Sequence, residues 1–222
     1  MFLKTEFDIF VTKQLKMIQM KNFLVVVVLL VSAIAAAQDM EVVKGDFSAI
    51  SGQKEFNVIF DYSKMTVLKD RKTEAQYIEE RSKELNEKDK GNGEIWKKKW
   101  AGAKDGIWTP KFLELVNVVL HKAKKDVLFQ EGLASAKYTL LVETVWIYPG
   151  YDVYVSKQAA RVTTNLRFVE TNNKSNVVLE IKSEEAPGSQ FGSQFSNENR
   201  IGEGFAKTGK SLAQLLNKNA YK

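Results

Sequence analysis

The sequence predicts an α/β domain of the α+β kind, built on a mixed four-stranded sheet with helices mainly on one face. Three observations carry this. Between Tyr138 and Lys182, three strand-like runs follow one another with short links. One earlier alternating run, Phe56 to Tyr62, is separated from them by a long helical stretch. A second helical stretch closes the chain, so the order is strand, helices, three strands, helix. A helical crossover favours a parallel pairing of the first two strands, while short links make the last three antiparallel.

Taken in order, residues 38–53 are mixed and polar and read as a leader with room for a short edge strand. The first strand then puts Phe56, Val58, Phe60 and Tyr62 on one face by strict alternation. Thr73 with Gln76 three residues on is a capping-box pattern, and Ala75, Ile78 and Leu85 share one face of a charged helix that runs to about Lys88. The run Lys90-Gly91-Asn92-Gly93 should stop it. Glu94 to Trp108 holds three of the four Trp residues; a short helix places Trp96 and Trp100 on one face, and Gly102 and Gly106 are expected to break the chain before Trp108. Thr109-Pro110 reads as a helix start. Phe112, Leu113, Val116, Val119, Leu120 and Ala123 form an apolar stripe that should pack on the sheet.

Tyr138 to Tyr148 carries apolar groups on both faces, with Leu140, Val142 and Trp146 on one and Leu141, Val145 and Ile147 on the other, as an interior strand does. Gln158 to Glu170 alternates strictly, with Ala160, Val162, Thr164, Leu166 and Phe168 on its apolar face. The polar turn formers of residues 171–176 connect it to a strand with Val177, Leu179 and Ile181 opposite Val178, Glu180 and Lys182. Ala186-Pro187-Gly188 opens a loop with an immediate repeat, Gly188-Ser189-Gln190-Phe191 then Gly192-Ser193-Gln194-Phe195. The closing helix, from about Asn197 to Asn217, is anchored by Ile201, Phe205, Leu212, Leu215 and Leu216. Its interior glycines, Gly202, Gly204 and Gly209, each cost about 1 kcal/mol of helix propensity relative to alanine. Several together imply close packing against the sheet.

With 222 residues, 44% of them hydrophobic, the chain suffices for one ordinary domain with a real core, placed at residues 38–222. Residues 1–37 read as an N-terminal extension and a signal peptide. Met20-Lys21-Asn22 is the basic start, Phe23 to Ile34 the apolar middle, and Ala35-Ala36-Ala37 the small-residue cleavage site, with cleavage near Ala37 and the true start at Met20. The uncharged run from Phe23 to Ala37 is 15 residues, shorter than the roughly 18 to 20 of a membrane-spanning helix. No stable transmembrane span is therefore expected after cleavage; an uncleaved anchor is the competing account. Cysteine is absent, which excludes disulfides, thiolate metal sites, a Cys nucleophile and a lipidated cysteine. Export without disulfides or a lipid anchor points to a bacterial periplasm or to secretion, and not to a lipoprotein. The net charge is +6, of which the first 37 residues contribute four Lys against Glu6 and Asp8. The remaining charges are interspersed, so the surface is not a nucleic-acid footprint.

No motif supplies a catalytic set, a cofactor site or a metal site. The single histidine, His121, stands at a helix C-terminus, where cations are favoured. Gly91-Asn92-Gly93 follows a helix and lacks the rest of a phosphate-binding loop. Glu79-Glu80 and Glu184-Glu185 are adjacent pairs whose side chains point apart. Two aromatic groups are the candidate interaction surface. One is the tyrosine-rich connection Tyr148-Pro149-Gly150-Tyr151-Asp152-Val153-Tyr154, with Tyr148, Tyr151, Asp152 and Tyr154; the other is the cluster Trp96, Trp100 and Trp108 with lysines nearby. Packing is the competing account of both.

Four segments, Phe56 to Ser63, Ser135 to Val142, Ala159 to Leu179 and Arg200-Ile201-Gly202 to Leu216, resemble a family of uncharacterised exported proteins of Gram-negative bacteria. More distantly they resemble the α/β domain of outer-membrane lipoproteins such as the curli-secretion component, and the N-terminal domain of the translocation protein TolB. The resemblance implies a periplasmic or outer-membrane-associated, non-enzymatic role in binding or assembly. Its partner would be another envelope protein or a glycan. A carbohydrate-binding module using Trp96, Trp100, Trp108, Tyr151 and Tyr154 is the alternative. No signal for an oligomeric state is present, and the lipidation cysteine of the lipoprotein members is absent.

Overall fold

The computed structural model describes residues 39–153, 156–188 and 196–222. The predicted signal segment, Tyr154 and the repeat beyond Gly188 lie outside the described residues. The strands are β1 (Asp39–Gly45), β2 (Glu55–Asp61), β3 (Thr66–Val67), β4 (Lys72–Thr73), β5 (Leu128–Gln130), β6 (Tyr138–Tyr148), β7 (Tyr151–Val153), β8 (Ser156–Gln158), β9 (Ala160–Glu170) and β10 (Asn173–Gly188). The helices are α1 (Glu74–Lys88), α2 (Asn92–Ala103), α3 (Thr109–Lys122) and α4 (Asn197–Asn219), with a 3-10 turn at Phe47–Ile50.

The main sheet runs β1-β10-β9-β6-β2-β5. The four predicted strands are its middle. β2 pairs parallel with β6, Val58 opposite Leu140 and Phe60 opposite Val142. β6 pairs antiparallel with β9, and β9 with β10. The sheet continues past these four: β1 covers part of β10, β5 lies beside β2, and the β3–β4 hairpin continues the sheet along the end of β6. These additions carry no readable period. β3, β4 and β5 span two or three residues each, and β1 is exposed along almost its whole length.

One face of the sheet is the core. Val58, Leu140, Val142, Val162, Leu166, Phe168, Leu179 and Ile181 are buried there, and the helices cover them with Phe112, Val116, Leu120, Phe205, Leu212 and Leu216. Phe60 meets Phe112 edge-on at 5.5 Å, and Trp108 stacks on Phe205 at 5.6 Å. Each such fully buried side chain contributes about 1.5–3 kcal/mol. The outer face is polar, with Glu143 bridging Lys64 at 3.1 Å and Arg167 at 3.4 Å.

A bulge at Val145 changes the face assignment on β6. Thr144 lies opposite Thr164, but Trp146 lies opposite Thr163 and Ile147 opposite Val162. One extra residue shifts every following side chain to the other face. Ile147 therefore enters the core, and Trp146 leaves the face of Leu140 and Val142.

The helical stretch also departs from strict expectation. The chain does not break at Gly102 and Gly106; it continues from α2 through a π turn, Lys104–Trp108, into α3. Pro110 has no N–H to offer the Gly106 carbonyl four residues back. The wider π turn accommodates this without ending the helix, and it places Trp108 wholly inside the protein. Elsewhere the local signals act as expected. Thr73 and Gln76 form the capping box of α1, and His121 sits in the last turn of α3; the structure adds a Ser196 cap on α4.

The glycines of α4 pack against two different elements. A Cβ on Gly204 would lie 2.6 Å from Val162 Cγ2 on the sheet, but one on Gly209 would lie 2.4 Å from the Phe112 carbonyl oxygen of α3. A Cβ on Gly202 would meet Ile107 of the π turn at 2.7 Å. Close packing is thus shared between the sheet and the neighbouring helix.

Candidate functional site

The tyrosine-rich connection is a two-stranded ribbon projecting from the end of the sheet. β7 and β8 pair antiparallel, Tyr151 opposite Gln158 and Val153 opposite Ser156. Gly150 makes the turn into it. Its φ is +64°, and a Cβ there would sit 2.3 Å from the Gln158 carbonyl oxygen, so glycine is required for both reasons.

The ribbon's base is held from α4. Arg200 is 2% exposed, and its guanidinium donates from Nε to the Pro149 carbonyl at 3.3 Å and from Nη2 to the Gly150 carbonyl at 3.4 Å. It also donates to Asn197 Oδ1. Burial lowers the Arg200 pKa, and the charges of Asp152 and Glu198 oppose that shift. Arginine remains protonated at neutral pH in either case. On the other side, Tyr148 donates to Gln158 Oε1 at 2.9 Å and stacks on Trp146 at 6.3 Å.

Trp146 in turn holds the β3–β4 turn. Leu68 and Arg71 have φ of 67° and 57°, the left-handed region, which costs about 1–2 kcal/mol per non-glycine residue. The turn is secured by Leu68 N–H on the Ile147 carbonyl at 3.0 Å and by Trp146 Nε1 donating to the Leu68 carbonyl at 2.6 Å. The Arg71 guanidinium lies 4.8 Å from the centre of the Trp146 ring.

Between this turn, α1, the ribbon and the start of α4 lies a cleft of about 390 Å³. Its walls include Tyr77, Glu80, Arg81, Tyr151, Asp152 and Arg200. Charges alternate in sign and are engaged: Lys72 pairs with Glu80 and with Asp70 at 3.4 Å, and Arg81 with Glu84 at 2.9 Å. Tyr77 is buried, and burial pushes its pKa up to about 12. Above these walls Tyr151 is 40% exposed and Val153 53% exposed. Such a surface suits an aromatic contact within a polar rim. Among the described residues, no three carboxylate, imidazole or thiol groups converge as metal ligands would.

The predicted site residues therefore separate. Tyr151 and Asp152 line the cleft, while Tyr148 is half-buried at the ribbon's base. Tyr154 lies outside the described residues. The tryptophan cluster is not a surface platform: Trp100 and Trp108 are fully buried, and only Trp96 is partly exposed. Trp100 Nε1 donates to Glu74 Oε1 at 2.7 Å and Trp108 Nε1 to the Glu198 carbonyl at 2.9 Å. A helix that buries one face of an i, i+4 pair takes the rings with it, and each buried indole needs an internal acceptor. Sequence reasoning did not single out Arg200, Tyr77 or Arg81, and weighed Glu80 only as half of an adjacent carboxylate pair. The one available signal was an arginine directly before the apolar and small residues Ile201, Gly202, Gly204 and Phe205 of α4.

Among the described residues, no helix is long and apolar enough to cross a membrane. No protein-family model matches the chain, and no curated protein matches it. Solved structures of a PelC dodecamer from Paraburkholderia phytofirmans match over 84% of this chain and 100% of theirs. The crystal in space group P6 does so at 10% identity and a TM-score of 0.37. A leucine-to-methionine variant in space group C2 does so at 8% identity and 0.36. Likeness at this level carries no functional argument.

Proposed function

We propose that the chain is an exported, envelope-associated, non-enzymatic binding or assembly protein whose contact site is the cleft under the Tyr151 ribbon. The observation that carries this is the exposure of Tyr151 and Val153 on a ribbon anchored by a buried arginine. Exposed aromatic and aliphatic groups on a pre-organised support lose little entropy on binding. Lys72, Glu80, Arg81 and Glu84, being engaged in ion pairs, favour a role in recognition over acid–base chemistry. Export rests on the order of basic, apolar and small residues from Met20 to Ala37. The kinship with curli-secretion-type lipoprotein domains and the TolB N-terminal domain belongs to this same proposal.

The test combines fractionation with crosslinking. A tagged chain is followed in cells, with a photo-crosslinking amino acid replacing Tyr151 or, as a control, the exposed Lys98 of α2. The expected result is an envelope-fraction protein shortened at its N-terminus, with a discrete crosslinked partner from position 151 alone. An uncleaved cytoplasmic protein, or crosslinking no stronger at 151 than at 98, would refute the proposal.

A further inference from the structure

A second cleft, of about 420 Å³, opens between α1, α2 and the start of α4. Arg81, Ile95, Trp96, Lys99, Asn197 and Glu198 are among its walls. Glu198 is 6% exposed; its Oε2 accepts from Ser196 Oγ, but its Oε1 is buried with no donor. Arg81 gives Nη1 to Glu84, and its Nε is buried with no acceptor. An orphan acceptor and an orphan donor thus belong to two residues that face one cleft. Buried groups of this kind are costly unless something meets them.

Trp96 adds a third feature. The indole N–H groups of Trp100, Trp108 and Trp146 are all donated inside the protein. Among the described residues, that of Trp96 has no acceptor. Its ring is held edge-on to Tyr77 at 5.7 Å and against Trp100 at 5.5 Å, and it also lines the cleft. It is a rigid, partly exposed aromatic surface with a free donor.

We propose that this cleft binds a neutral saccharide. An anionic ligand would face the Glu198 carboxylate, and a cationic one would face Arg81 and Lys99. A hydroxyl group both donates and accepts, so one sugar can serve the acceptor residue Glu198 and the donor residues Arg81 and Trp96 that line the cleft. The C–H face of a sugar ring packs on an indole, and the volume lies within the range of small-molecule sites. The site uses one ring of the Trp96, Trp100 and Trp108 cluster together with polar groups from α1 and α4. It does not rest on the Tyr151 reading, although Arg81 and Asn197 border both clefts.

The test titrates the purified protein with maltohexaose and with chitohexaose while following the Trp96 indole signal in two-dimensional proton–nitrogen NMR. At least one probe is expected to shift that signal saturably. Glu198→Gln keeps the side chain's shape and should weaken binding by about tenfold or more, the loss of a hydrogen bond to a charged acceptor. Trp96→Phe, read from the neighbouring amide signals, should weaken it as well. Both variants must retain the wild-type pattern of core signals, and if one does not fold, the other decides. The proposal fails if neither saccharide moves the signal, if the folded variants bind as well as wild type, or if hexalysine or hexaglutamate binds in place of the sugars. None of these results bears on crosslinking from position 151.

Discussion

Replacing Gly209 by alanine places a methyl group 2.4 Å from the Phe112 carbonyl oxygen, where ordinary contact begins near 3.4 Å. The obstructing atom is backbone in a neighbouring helix, so no side-chain rotation relieves it. α3 and α4 must separate by about 1 Å, loosening the buried contacts of Val116, Phe205 and Leu212. Overpacking of this kind costs about 1–3 kcal/mol, and the alanine returns roughly 1 kcal/mol of helix propensity. The net expectation is a loss of up to about 2 kcal/mol, which lowers Tm by up to roughly 4–8 °C for a domain of this size. Gly102 is the internal control, because a Cβ there meets nothing within 4 Å. Gly102→Ala should gain up to about 1 kcal/mol. Calorimetry on the two variants and wild type reads the contrast directly. A Gly209→Ala protein that gains stability as Gly102→Ala does would show that the α3–α4 contact is looser than described and refute the packing argument.

Two further perturbations probe the outer face and the ribbon. Burial raises the Glu143 pKa, but hydrogen bonds from Asn165 and Lys64 and the charge of Arg167 outweigh it and hold the carboxyl below its ordinary 4.5. A depressed folded-state pKa contributes stability that is present above the unfolded value and lost as pH falls through the folded one. Urea midpoints should therefore fall with acidification below about pH 4.5, with a shallower slope in Glu143→Gln; parallel slopes would show that Glu143 is not the group responsible. Arg200→Lys keeps the charge and loses the fork that serves Pro149 and Gly150. It should destabilise by about 1–3 kcal/mol and speed tryptic cleavage after Lys157, as measured by limited proteolysis. Unchanged cleavage would mean that the ribbon does not depend on Arg200.

The strands that were legible in the sequence are those with an apolar face long enough to show a period, and all four formed, although the fourth runs Asn173–Gly188 and takes in residues read as turn and as loop because they pair with β9. Helix signals were equally local: Thr73 with Gln76, and the apolar stripe of α3. Where those local signals misled, a neighbour had intervened. Trp146 and Ile147 exchanged faces because one extra residue at Val145 is absorbed by pairing with β9. Thr109-Pro110 opens α3 as expected, but it follows directly on a π turn, so the chain before it was already helical.

The candidate site was half legible. Tyr151 and Asp152 could be found because aromatic residues exceed what a turn needs. The cleft beside them could not, since Tyr77, Glu80 and Arg81 on α1 and Arg200 on α4 are far apart in sequence and meet only through the packing of separate elements. The tryptophans show the opposite case. Their spacing revealed that Trp96 and Trp100 share a face, but whether that face was wet or dry depended on α4 and Tyr77.

By itself, then, the sequence determined the elements, their order and the apolar face of each long strand, because capping, periodicity and turn chemistry act within a few residues. Only the tertiary structure decided which aromatic rings are buried, how far the sheet extends, and which charged side chains border a common cleft. Those outcomes rest on contacts between residues tens to more than a hundred positions apart, and no local pattern encodes them.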